Sequence, residues 1–130
     1  MIIDKELELS LAQVVTVSAA STNYIDQQNE GDAYEKELYV VARVGTAFTV
    51  GTSMEISLQT DDNTSFTSPK TVGTSGVILE ADLTENTIVW SARIPKGMEQ
   101  YIRGYYTVVG THTTGTIDLF FTPDVPQRRV

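Results

Sequence analysis

At 130 residues the chain is one domain's worth, long enough to bury about two thirds of its unfolded surface around a single core. Apolar residues make up 41% and charged residues 20%, which excludes wholesale disorder, and the lack of cysteine excludes disulfide staples, thiolate nucleophiles and thiolate metal sites. A formal net charge of −8 sets the chain against phosphate backbones, so nucleic acid is not an expected partner.

In chain order the dominant pattern has period two, that of strands with one face buried. Leu7, Leu9 and Leu11 alternate with Glu6, Glu8 and Ser10, and Val15 and Val17 follow in a β-branched run. Leu38, Val40, Ala42 and Val44 share a face, as do Met54, Ile56 and Leu58. Val77-Ile78-Leu79 is a short apolar run. Ile88, Trp90, Ala92 and Ile94 oppose Val89, Ser91 and Arg93, with Trp90 read as core. Ile102, Tyr106 and Val108 lie opposite Tyr101, Arg103 and Tyr105, and Ile117, Leu119 and Phe121 close the set. Turn chemistry separates the runs at Gly45, Gly51, Asp61-Asp62-Asn63, Gly73, Gly76, Pro95-Lys96-Gly97 and Gly110. The only helical character is modest, over Asp32 to Leu38.

Seven or eight short strands without a dividing linker predict one all-β domain over residues 1–130, a sandwich or barrel, with eight strands in two facing sheets making a jelly roll. Residues 1–12 form an N-terminal arm or first strand. Residues 123–130 form an extended tail, because Pro123 and Pro126 cannot donate to a ladder. Both ends read either as frayed termini or as arms that order on a neighbour. Residues 1–42 hold eight acids against two bases, which is either a solvated surface or a negative region facing a positive protein patch. No basic-then-apolar leader follows Met1, and no apolar run approaches the ~18 residues of a membrane span, so a protein made in a cytoplasm without a membrane partner is expected.

Chemistry is sparse. His112, the only histidine, sits in Gly110-Thr111-His112-Thr113-Thr114-Gly115 and reads as a solvated hairpin-loop residue without a metal or triad partner. Asp61-Asp62-Asn63 lacks the spacing of a calcium loop and reads as an Asx-type turn. Glu80 and Asp82, two apart, are expected on one face of a strand, more simply solvated than a glycosidase acid pair. Phosphate-binding glycine loops are absent from the sequence. Tyr101, Arg103 and Tyr105 share a strand face that suits three readings: a partly covered sheet face, a protein interface or a glycan platform. The expectation is therefore a protein that is not an enzyme and takes no cofactor or metal.

Four stretches carry a resemblance. They are MIIDKELELSLAQVVTVSAASTNYID, GDAYEKELYVVARV, ISLQTDDNTSFTSPKTV and IPKGMEQYIRGYYTV. In this order they resemble the capsid cement, or decoration, proteins of short-tailed bacteriophages, typified by the cement protein of a Bordetella phage. The ending TPDVPQRRV has no counterpart in that pattern. The resemblance implies a jelly-roll-like β-sandwich of about eight antiparallel strands on the outer surface of the virion. It would be assembled in the host cytoplasm and bridge neighbouring copies of the major capsid protein as a homodimer, or alternatively a homotrimer. Within that reading, alternation and charge put capsid contacts on the segment Ile2 to Leu11, with Ile3, Glu6, Leu7, Glu8 and Leu9 as candidates. Tyr101, Arg103 and Tyr105 are candidates for the homo-oligomer face. The alternative function is a carbohydrate-binding β-sandwich module.

Overall fold

The computed structural model describes residues 8–26, 39–94 and 99–122. They form β1 (Glu8–Val14), β2 (Ala19–Asp26), β3 (Tyr39–Val44), β4 (Ser53–Asp61), β5 (Lys70–Leu79), β6 (Ile88–Arg93), β7 (Tyr101–Val109) and β8 (Thr116–Thr122), with a 3-10 turn over Glu80–Asp82. All ladders are antiparallel. One sheet has the order β1-β8-β3-β6 and the other β2-β7-β4-β5. Read across the two sheets, these orders match β1 with β2, β8 with β7, β3 with β4 and β6 with β5. That is a wrapped antiparallel ribbon, the jelly roll the strand count predicts. The predicted helical stretch, most of the N-terminal arm and the C-terminal tail lie outside the described residues.

Period-two alternation builds the core as the sequence suggests. Val40, Ala42 and Val44 of β3 and Ile117, Leu119 and Phe121 of β8 pack against Met54, Ile56 and Leu58 of β4 and Ile102 and Tyr106 of β7. Trp90 lies half-buried against this cluster. The Tyr106 hydroxyl spans the sandwich to the Ser10 hydroxyl at 2.6 Å, so this buried polar tip has a partner. Burial pushes that phenol well above the ordinary tyrosine range.

Strict alternation fails at bulges. Leu11, expected inward beside Leu9, is 61% exposed. The cause is the break in β1, where the register with β8 shifts twice and Ala12 takes a positive φ of 48°. An extra residue in a strand turns the following side chains to the other face. The same device acts in β6: Ala42 pairs Trp90 but Arg43 pairs Ile88, so Val89 is left over and packs on the core although the alternation puts it outside.

Glu80 and Asp82 are corrected too. They belong to the 3-10 turn that follows β5, not to a strand, so they do not share a sheet face. His112 is not a solvated loop residue but 1% exposed. Its backbone N–H donates to Thr16 O at 3.0 Å, its Nδ1 lies 3.1 Å from Val50 O, and its ring meets Phe48 edge to face at 5.1 Å. Gly51, at φ +83°, passes so close that a Cβ there would sit 2.6 Å from Nδ1. The histidine is a plug that joins the β3–β4 connection to the β7–β8 connection.

Candidate functional site

Among the described residues no group of three or more histidine, aspartate and glutamate side chains is placed to hold a metal ion. The sequence-predicted candidates of β7 lie on the outer face of the β2-β7-β4-β5 sheet. Tyr101, Arg103 and Tyr105 alternate with buried Ile102, Gly104 and Tyr106 along the inner strand β7, so all three project outward and are partly exposed. The register lays Tyr24 and Gln59 on either side of Arg103, and Asp26 and Asp61 on either side of Tyr101.

These neighbours order the side chains. Arg103 Nε donates to Gln59 Oε1 at 2.8 Å, its guanidinium lies 4.4 Å from the centre of the Phe66 ring, and Tyr105 flanks it at 5.6 Å. Arg103 is thus held by a planar contact and a hydrogen bond, an arrangement lysine cannot reproduce. Tyr24 and Tyr101 meet edge to face, 5.6 Å between centroids and 80° between planes. Gln100 Nε2 lies 3.2 Å from the Tyr101 hydroxyl and 3.2 Å from Asp26 Oδ1, tying the β7 entry to the end of β2.

Phe66 reaches this face only because the β4–β5 loop is folded back. Asp61 accepts from the backbone N–H of Asp62 at 2.7 Å and of Ser68 at 2.9 Å, and Asn63 Oδ1 accepts from Ser65 N at 3.0 Å. The Asp61-Asp62-Asn63 run is therefore a turn, as its composition suggests. The Ser68 bond, more than any other contact, holds the Asp61 carboxyl below the usual carboxylate range, with further help from the Asp62 amide and the nearby Arg103 charge and against the desolvation of partial burial. Phe66 itself sits at φ 49°, a conformation the loop imposes.

The sequence-predicted oligomer-face residues Tyr101, Arg103 and Tyr105 are thus brought together. Phe66, Tyr24 and Gln59 complete the cluster, and alternation within β7 had no means of finding them. The capsid-contact candidates do not assemble in the same way. Ile3, Glu6 and Leu7 lie outside the described residues. Glu8 is partly exposed at the start of β1, whereas Leu9 is fully buried in the core and its side chain is not offered to a partner.

A second surface lies at the opposite edge of the sandwich. Among the described residues β5 pairs only with β4, and β6 only with β3. Between the two free edges runs a cleft of about 530 Å³ bordered by Val77, Ile78, Asp82, Thr84, Ile88 and Val89.

Comparison with known proteins gives one family. The family model described as Bbp16 matches residues 9–121, which takes in almost all of the jelly roll from Leu9 to Phe121. The family's name points to a Bordetella phage protein. No curated protein matches the chain.

Proposed function

Because the chain belongs to the Bbp16 family, we propose that it is a capsid cement protein that decorates the outer surface of a phage head and bridges neighbouring major capsid protein subunits. The observation that carries the reading is the placement of ordered side chains. The Tyr101–Arg103–Tyr105 cluster is built on the outer face of a sheet and is buttressed by Phe66 and Gln59. Tyr and Arg on a pre-ordered surface are the composition of a protein contact, where ordering before binding lowers the entropic cost of association. The jelly roll is used by viral shell proteins and by lectins alike, so the fold by itself does not choose between them.

A shell protein that acts by adhesion has no use for an active site. Each contact can be modest, because anchoring at several points on a lattice raises the effective concentration of the next. In this reading the segment before Leu9 supplies contacts to the capsid, and the outer sheet face supplies contacts to another copy. The glycan-binding alternative is disfavoured by the rings themselves. Tyr24 and Tyr101 stand at 80° to each other and present no common flat platform for a sugar ring.

The test is compositional. Purified particles are resolved on a gel and the band of this protein is quantified against the major capsid protein. A ratio near one-to-one supports the proposal, and absence of the protein from the particle rejects it.

A further inference from the structure

We propose that the β5 edge and its cleft are a docking site for the C-terminal segment, residues 123–130, of a second copy of the chain. The inference rests on the reading of the protein as one that works in an assembly.

Three observations carry it. First, the edge is fit for pairing only where it meets the cleft. Along β5 the ladder with β4 is broken by register shifts, and Gly76 sits at a positive φ of 74°, features that blunt an edge. The last three residues are regular: Glu55 pairs Val77, Met54 pairs Ile78 and Ser53 pairs Leu79. Val77 and Leu79 are 68% and 58% exposed, so the regular part of the edge is also apolar. An edge that no other described strand covers is a template for an added strand.

Second, the charges match. Asp82 is the charged residue lining the cleft, and Glu80 and Glu85 flank it in the same short connection. The C-terminal segment Pro123-Asp124-Val125-Pro126-Gln127-Arg128-Arg129-Val130 carries one acid and two adjacent arginines, the latter between Gln127 and Val130.

Third, the proline spacing suits an outermost strand. The N–H groups of Val125, Gln127 and Arg129 alternate to one side and can pair, while Pro126, which has no N–H, falls on the other side, where an edge strand tolerates it; Pro123, on the pairing side, confines the pairing to the residues that follow it. Reach then favours a second copy. Thr122 pairs Tyr39, and Tyr39 pairs Arg93, so the tail leaves beside the Arg93 end of β6, whereas the cleft lies at the Ile88 end. Crossing β3 and running the length of β6 takes roughly 20 Å of the ~28 Å that eight residues can span. In its own molecule the segment would arrive with only its last one or two residues, too few to pair along Val77–Leu79; from a neighbour Val125 to Arg129 can all lie there.

The absence of cysteine makes the test clean. Two full-length single-cysteine proteins, Ala81→Cys in the cleft and Gln127→Cys in the tail, are mixed and oxidised, with Thr22→Cys on the exposed β2 edge across the sheet replacing Ala81→Cys as control. A disulfide-linked dimer formed by the Ala81→Cys and Gln127→Cys pair, and not by the control pair, supports the inference. Only an intramolecular link in the doubly substituted chain, or no link, overturns it. In parallel, Asp82→Lys and the pair Arg128→Glu/Arg129→Glu are each expected to weaken self-association by roughly tenfold in sedimentation, and their combination to restore it. Wild-type protein that sediments as a monomer, or a combination that stays weak, also overturns it. Both assays use purified protein without particles. A monomer that still decorates heads refutes this inference, and with it the outer-face contact between copies, but leaves the cement reading standing, whereas a dimer missing from particles refutes the proposed function alone.

Discussion

Asp118 binds Arg43 with one carboxylate oxygen and the backbone of Ala12 with the other. Arg43 Nη2 lies 3.0 Å from Oδ2, and Ala12 N donates to Oδ1 at 2.6 Å. One side chain on β8 thereby fixes its neighbour β3 and the bulge of β1, where Ala12 takes its positive φ. Asp118→Ala orphans that N–H and the guanidinium together and is expected to cost about 2 kcal/mol. Arg43→Met, which removes a partly exposed partner, is expected to cost less than about 1 kcal/mol. Urea unfolding of the two variants checks the order, and equal losses would contradict it.

Arg103 and Phe66 give a second expectation. Arg103→Lys keeps the charge but loses the planar stack and the Gln59 bond, so it should destabilise by about 0.5–1 kcal/mol. Since the proposed contact lies on this face, binding should fall by more than this stability loss explains. Affinity for particles or for a second copy, measured beside the unfolding curve, separates the two effects.

Asp61 makes the β4–β5 loop sensitive to acid. Folding lowers the pKa of its carboxyl, so the charged form is favoured in the native state and the group stabilises the fold above the unfolded value of about 4. That contribution is lost as pH falls through the lower, folded value. The expected result is loosening of residues 62–68 in acid, read as a fall in the protection of the Ser68 amide relative to its intrinsic exchange rate at the same pH. In Asp61→Asn that protection should be low already at neutral pH and should not fall further in acid. A wild-type Ser68 amide that stays equally protected down to strong acid would contradict this.

The His112 plug predicts a steric conflict. Gly51→Ala places a Cβ against the imidazole in a backbone conformation that alanine adopts poorly, and about 2–4 kcal/mol of destabilisation is expected. In the double variant with His112→Ala the clash is gone, so the two losses should add to less than their sum. Thermal unfolding of the cycle checks it, and strict additivity would show that the residues do not meet.

The parts of the fold legible in the sequence were those where a buried strand keeps a clean period of two. β4 and β7 do so, because their alternate residues face one shared core; β3 and β8 were legible from Val40, Ala42 and Val44 and from Ile117, Leu119 and Phe121, although Val41 and Phe120 on their other faces are buried as well. β2 was poorly visible, since Ala19-Ala20-Ser21-Thr22-Asn23 at a sheet edge has little apolar rhythm to read, and β5 showed only its last three residues. Leu11 and Val89 misled because a bulge changes facing without changing composition. His112 misled for a different reason: its burial depends on two loops about 60 residues apart in sequence meeting over Gly51. The outer-face cluster was half legible. Strand parity aligned Tyr101, Arg103 and Tyr105, but Phe66 arrives through a loop whose path is set by Asp61. Leu9 also revises how the N-terminal contact can be probed. A deletion must stop at residue 7, since removing Leu9 and Ser10 would open the core and break the Tyr106 hydrogen bond.

The central claim is that this jelly roll acts by gripping the outside of a phage head. Cryo-electron microscopy of expanded heads, prepared without the protein and then incubated with it, tests that most directly. The account predicts jelly-roll density on the outer surface spanning adjacent major capsid subunits, reduced in occupancy when residues 1–7 are deleted. Heads that remain bare at saturating protein, or density confined to the interior, would contradict it.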